Sequence, residues 1–351
     1  MKTFLATILT YFTVSALCIK ASACTGSIFR NMVPQGIQTI CSVTQDSAGL
    51  MWIGAENGLY SYNGYRFTQH FKYNDETNTR IHAMLAAGER LYLGTDNGLL
   101  VYSLKTGLYV KTESGSTGEV RALCVMNGKI ILGAARGIFI YDPDKNAVAI
   151  ITKSPNNIYS LLTLNGTLLA GSINGLYEIK NRRSGMIGIT PGKQPLVNAM
   201  MADGNGGIWI GTEGELLHKT GKRLTSVKEL NGNSIKALAK RRGTLYAGTD
   251  NGLYAVNADG TITHLIHDSR VETSIASNIV WALSADKYGN LWVGTDNGLA
   301  LSQGRDSEQI ISLGDITGTG EGNCIYDILR EADGTTWLGG SNGLIKFSAS
   351  R

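Results

Sequence analysis

The sequence predicts an all-β fold, a single β-propeller of four-stranded blades. Three observations carry this. Glycine supplies 44 of the 351 residues and proline only 5, so glycine makes the turns. With 43% apolar and 17% charged residues the chain can bury a core, which excludes disorder and a collagen-like chain. Third, one short motif recurs eight times: MWIGAENGL, LYLGTDNGL, IILGAARGI, LLAGSINGL, IWIGTEGEL, LYAGTDNGL, LWVGTDNGL and TWLGGSNGL.

The key glycines are Gly54, Gly94, Gly133, Gly171, Gly211, Gly248, Gly294 and Gly339, spaced by 40, 39, 38, 40, 37, 46 and 45 residues. That period belongs to propeller blades or solenoid repeats. Each motif reads as strand, turn, strand, because Asn and Gly tolerate the positive φ of a two-residue type I′ hairpin. Upstream lies a further apolar run, such as residues 279–284, followed by a turn at residues 286–290. Downstream lies a fourth, such as residues 66–71 or 261–266. Four strands in about 40 residues make one blade.

Blades stack face to face, so a large side chain is useful at the seam between them. The position two before the key glycine holds Trp52, Tyr92, Ile131, Leu169, Trp209, Tyr246, Trp292 and Trp337, four of the chain's five tryptophans. A sugar-stacking platform is the other reading of these aromatics. The last repeat, residues 343–348, lacks an outer strand, while residues 27–31 form a surplus strand at the other terminus. Pairing the two closes the ring and removes exposed edges. The count is eight blades; seven blades plus an irregular repeat is the alternative, with the copies at Gly133 and Gly211 the weakest. A solenoid would need polar capping repeats, which neither end carries.

Residues 1–23 read as an export signal: Lys2, an uncharged run over residues 3–19, then Ala21, Ser22 and Ala23 in the small-residue pattern of a cleavage site. The propeller then occupies residues 24–351, and the protein is expected in the periplasm or secreted. Acylation of Cys24 as a lipoprotein is the alternative, although a lipobox carries Leu where this chain has Ala21. The run at residues 3–19 is short for a membrane anchor, which needs about 20 apolar residues. Removing Lys2 and Lys20 leaves 30 basic against 28 acidic residues, a net charge of +2 in place of +4. The basic runs Arg182–Arg183 and 240–242 are short and far apart, so no nucleic-acid partner is implied.

Little in the chain suggests covalent chemistry. The glycine-rich stretches 204–207 and 318–322 lack the Lys-Ser/Thr ending of a phosphate loop and read as blade connections. Cys24, Cys41, Cys124 and Cys324 have no CxxC spacing, so a metal site is not implied and a disulfide is permitted without being indicated. Cys41, Cys124 and Cys324 read as small buried strand residues. No catalytic or metal motif brings together His70, His82, His218, His264 and His267, and no cofactor is expected. Glu56, Asp96, Glu213, Asp250 and Asp296 recur in the hairpin turns and read as turn formers, with a cation-binding ring as the alternative.

One position stands out when the repeats are aligned. Near the start of each inner strand it holds Gln38, His82, Arg121, Tyr159, Asn198, Lys236, Trp281 and Tyr326, varying among amide, basic and aromatic residues while its neighbours keep their type. Inner strands line the channel, so these side chains are expected to converge at one mouth of it. Amides and cations beside flat rings suit an oligosaccharide or other small polar ligand, and Arg121 and Lys236 leave room for an acidic sugar. The alternative is a position that faces channel water and drifts freely.

Residues 286–299, with LWVGTDNGL after a short strand and Asp, resemble the two-component regulator propeller repeat. Residues 40–71 resemble the first blade of the periplasmic sensor region of hybrid two-component regulators. The resemblance covers residues 27–349 and implies a periplasmic ligand sensor, often for oligosaccharides released from complex glycans. That family pairs two propellers, typically seven-bladed, with an immunoglobulin-like domain, a membrane crossing, a kinase and a DNA-binding regulator. This sequence presents one isolated propeller with an eight-blade count.

The function expected is therefore a non-enzymatic periplasmic ligand-binding or sensor propeller that recognises an oligosaccharide or relays a signal to a membrane sensor kinase or other periplasmic partner. A protein–protein scaffold is one alternative. A polysaccharide lyase or hydrolase is the other, and it needs an acid or base that the eight positions supply only as His82, Tyr159 and Tyr326.

Overall fold

β-branched and aromatic runs bounded by Gly, Asn and Asp build short antiparallel strands throughout the chain. The computed structural model describes residues 27–32, 36–37, 39–70, 79–110, 112, 116–190, 192–271, 273–286, 289–302, 310–312, 323–331 and 333–349. These form eight four-stranded antiparallel sheets. Their innermost strands, which number blades 1 to 8, are Ile40–Gln45, Ile81–Ala87, Val120–Met126, Ile158–Leu164, Val197–Ala202, Ile235–Arg241, Val280–Ala285 and Ile325–Arg330. Each inner strand contacts the next, and that of blade 8 contacts that of blade 1, so the sheets close into a ring. The repeats at Gly133 and Gly211 are complete blades, which excludes the seven-bladed count and the solenoid.

The two termini seal the ring as expected. Strand Ser27–Met32 pairs antiparallel with Gly343–Ala349 and completes blade 8 in the order first, last, middle, inner. The closing seam carries a polar tie as well. Asp327 of blade 8 accepts a hydrogen bond from the Val43 amide of blade 1 at 2.8 Å, where the other blades have only Ala or Ser.

The eight key glycines have a reason that lies outside their own hairpins. A Cβ on Gly54, Gly94, Gly133, Gly171, Gly211, Gly248, Gly294 or Gly339 would lie 2.5–2.9 Å from the first residue of the next blade's inner strand: Ile81, Val120, Ile158, Val197, Ile235, Val280, Ile325 or Ile40. Each glycine is thus a socket for a β-branched side chain from the neighbouring blade. The last socket receives Ile40 of blade 1, repeating across the closure the packing of the other seven seams.

The hairpin geometry differs from the type I′ expectation. Neither Asp96 nor Asn97 has a positive φ; the glycine that opens the third strand does, with φ of 97–133° at Gly58, Gly98, Gly137, Gly175, Gly252, Gly298 and Gly343. A hydroxyl at the end of the second strand stabilises the turn instead. Thr95 Oγ1 accepts from the Asn97 amide at 3.1 Å and donates to the Gly98 carbonyl at 2.9 Å. Ser172, Thr212, Thr249 and Thr295 act in the same way.

The aromatics before the key glycines fill the seams. Trp52 packs with Ile81 and Tyr102 of blade 2, Tyr92 with Val120 and Tyr141 of blade 3, Trp292 with Ile325 and Phe347 of blade 8, and Trp337 with Ile40 and Met51 of blade 1. Two of the indole N–H groups donate to acids of their own blades, Trp52 to Asp46 at 2.8 Å and Trp337 to Glu331 at 2.7 Å. These rings are therefore walls of the core and do not form a sugar platform.

Candidate functional site

A β-bulge falls at the same place in all eight inner strands. The register with the second strand shifts between Ile40 and Ser42, Ile81 and Ala83, Val120 and Ala122, Ile158 and Ser160, Val197 and Ala199, Ile235 and Ala237, Val280 and Ala282, and Ile325 and Asp327. The residues skipped are Cys41, His82, Arg121, Tyr159, Asn198, Lys236, Trp281 and Tyr326. A bulge breaks the two-residue alternation and re-aims one side chain. Seven of the eight residues singled out in the sequence thus occupy one bulge. Gln38 lies outside the described residues, and the first blade's bulge belongs to Cys41.

These side chains meet in sequence around the ring. The Arg121 guanidinium lies 4.7 Å from the Tyr159 ring centroid, the Lys236 ammonium 4.5 Å from that of Trp281, and the Trp281 and Tyr326 rings are 5.8 Å apart. The Asn198 amide donates to the Ile235 carbonyl of the next blade at 3.2 Å. Tyr159, Asn198, Ser234, Lys236, Trp281 and Glu213 line one cavity of about 360 Å³. Trp281 is 37% exposed, unlike the buried seam tryptophans Trp52, Trp292 and Trp337.

The mouth also holds carboxylates that a comparison of one position cannot find. The turn between the second and third strands sits beside the start of its own inner strand. His82 Nε2 accordingly lies 2.7 Å from Asp96 and 2.9 Å from Glu119. Arg121 binds Glu119 through two hydrogen bonds, Nε and Nη2 each 2.7 Å from a carboxylate oxygen. Arg80 pairs with Glu56 at 2.8 Å, and Asp250 accepts from the Ser234 amide at 2.9 Å. The turn acids therefore do not make the turns, a task the Thr and Ser hydroxyls perform, and Asp96, Glu56 and Asp250 turn toward the inner-strand starts. The signal for this was present in the sequence: in an antiparallel hairpin, the end of strand two lies opposite the start of strand one.

The mouth divides into two sectors. Across blades 2 and 3 the charges are satisfied internally, His82 between two carboxylates and Glu119 shared with Arg121. The His82 nitrogen and the Asp96 and Glu119 oxygens lie within 4.8 Å of one another, close enough for three ligands to one cation. Arg121 already supplies positive charge there. Across blades 4 to 7, Lys236 and Glu213 line the cavity with no ion-pair partner among the described residues. Beyond them, burial, with the Cys324 thiol bonded to it, pushes the Tyr326 phenol up to about 12, so it stays a neutral donor at physiological pH. Burial also raises the Cys41 thiol, despite its hydrogen bond with Arg80.

The cysteine expectation needs correction. Cys41, Cys124 and Cys324 are free and only half-buried, and Cys41 sits at the mouth because it occupies a bulge. Of the glycine-rich stretches, 204–207 does not connect two blades as expected but turns between the inner and second strands of blade 5, held by Asp203, which accepts from the Asn205 and Gly207 amides at 2.7 and 2.8 Å. Residues 318–322 and the segment 1–23 with Cys24 lie outside the described residues. Among the described residues, no helix is long and apolar enough to cross a membrane.

Comparison with known proteins agrees with the fold. The two-component regulator propeller family profile matches residues 192–214 and 274–297. The extracellular domain of the putative hybrid two-component system BT4673 from B. thetaiotaomicron is 37% identical; the match covers 91% of this chain and 45% of that domain, with a TM-score of 0.64. The corresponding domain of BT3049 from the same organism is 16% identical over 92% of this chain and 53% of that one, with a TM-score of 0.59. The computationally designed protein Ika8 is 16% identical over 90% and 98%, with a TM-score of 0.65. The last two show the fold alone. The chain spans about half the length of the B. thetaiotaomicron domains. No curated protein matches it.

Proposed function

The chain carries the two-component regulator propeller repeat on the fold of extracellular sensor propellers, and from that premise we propose that it binds an oligosaccharide at the bulge-lined channel mouth. The observation that carries the reading is the convergence of Tyr159, Asn198, Lys236 and Trp281 on one cavity of about 360 Å³, within the size range of small-ligand sites. A ring face packs against the apolar C–H face of a sugar, while amide and ammonium groups hydrogen-bond its hydroxyls. Protein action on the glycan is not needed. In this reading residues 1–23 direct export, the propeller works in the periplasm, and occupancy is read by a membrane sensor kinase or other periplasmic partner.

The mechanism follows from where the site sits. A ligand touching bulges from blades 4 to 7 bridges inner strands otherwise joined only across seams. Its binding energy is then available to favour one arrangement of the mouth over another, which is what a partner needs to sense. A thermal-shift screen of neutral and acidic oligosaccharides tests the proposal. Some oligosaccharide should raise the melting temperature of the wild-type protein, and Trp281→Ala and Asn198→Ala should remove that shift. A screen without a hit alongside a co-purifying membrane protein supports the scaffold instead. Release of product from a polysaccharide supports the lyase or hydrolase, for which Asp96 and Glu119 beside His82 are the groups able to move a proton.

A further inference from the structure

Six of the eight seams are wedged apart by a ring from the second strand: Trp52, Tyr92, Trp209, Tyr246, Trp292 and Trp337. Blades 3 and 4 place Ile131 and Leu169 there instead. Sheets that splay outward from a common axis leave a widening gap, and an aliphatic side chain fills less of it than an indole or phenol. The seam between blades 3 and 4 accordingly opens into a crevice of about 570 Å³ on the outer side of the ring. Ile131, Leu168 and Ile179 of the core, with Ile140, form its walls.

The rim is cationic. Lys145 and Arg182 border the crevice with no carboxylate partner among the described residues, whereas Lys129 is neutralised by Asp142 at 2.8 Å. Arg182 also donates to the Ile150 carbonyl at 3.2 Å, which occupies the outer strand's edge and disfavours an added β-strand as the occupant. We propose that this crevice is a second binding site, separate from the channel mouth, for a small aromatic ligand that carries an acidic group. The six filled seams define the shape that belongs between two blades, a flat ring. The unpaired rim cations define the charge that is missing.

Titration with 8-anilinonaphthalene-1-sulfonate, an aryl anion, tests this through its fluorescence, with the neutral N-phenyl-1-naphthylamine as control. The wild type should bind one equivalent of the anion. Ile131→Trp, which supplies from within the ring that six other blades already have, should weaken binding at least tenfold and raise the melting temperature. Lys145→Ala with Arg182→Ala should weaken the anion and leave the neutral probe unchanged. Ile131→Tyr repeats the test should the tryptophan variant fail to fold. Unchanged binding in a folded position-131 variant, or loss of binding in Trp281→Ala, would overturn the proposal, as would a crystal structure placing the bound probe elsewhere.

Discussion

Replacing Gly339 by alanine probes the closure of the ring at a single atom. The added Cβ would lie 2.7 Å from Ile40 Cγ2 and 3.3 Å from Val43 Cγ1, inside the 3.5–4.0 Å of an unstrained carbon contact. Ile40 is fully buried and cannot swing away, so strain must pass into the seam between blades 8 and 1. Overpacking of this kind costs about 1–3 kcal/mol. Ile40→Ala alone opens a cavity and costs about 2–5 kcal/mol. In the double variant the new methyl occupies space that Ile40 has vacated, so the two costs should fall short of additivity by about 1 kcal/mol or more. Urea unfolding at fixed pH, comparing midpoints at constant m-value, reads each cost. Gly188→Ala is the control, because its Cβ meets nothing within 4 Å, and it should stay within about 0.5 kcal/mol of the wild type. A Gly339→Ala variant as stable as that control, or strictly additive costs, would refute the socket.

Other perturbations have equally direct readouts. A variant lacking residues 27–32 leaves Gly343–Ala349 as an open edge, so light scattering should detect self-association and calorimetry a lower melting temperature. Asp327→Ala removes the bond to the Val43 amide and should cost about 1–3 kcal/mol in urea unfolding. Burial raises the Asp327 carboxyl above its ordinary value of 3.8, so the fold binds its proton more tightly than the unfolded chain does. Stability from this group should therefore fall as pH rises from below 3.8 through the raised value, and Asp327→Asn should flatten that part of the profile. His70, held between the Ser61 and Tyr102 hydroxyls at 2.8 Å each, has its pKa lowered from 6.5 by burial. The fold favours its neutral form, so stability should drop as pH falls below 6.5, and His70→Gln should lose that dependence.

Much of the architecture could be read from the repeat because each blade rests on local pattern: apolar triplets, hairpin residues and an unpaired strand at each end. What could not be read depends on contacts between repeats. The key glycines are legible in the sequence only as markers of the repeat, and their necessity comes from Ile81, Val120 and their counterparts one blade away. The motif points to its Asp, Asn and Gly residues for the turn chemistry, whereas Thr95 and its equivalents perform it, because a hydroxyl at a strand end resembles any other strand residue. In the first repeat the aligned position falls at Gln38, whereas the bulge selects Cys41. Asp96 and Glu119 sit in different blades and meet only through His82, so no single repeat displays them as a pair. Ile131 and Leu169 were visible as exceptions among the seam aromatics, but their consequence needed the gap itself.

The most direct test of the binding account is a crystal structure of the protein with an oligosaccharide that raises its melting temperature. Sugar density is expected against the Trp281 ring and within hydrogen-bonding distance of Asn198 or Lys236, inside the mouth formed by the inner-strand bulges. Density confined to the outer rim or to a blade seam, with the mouth filled only by water, would contradict it.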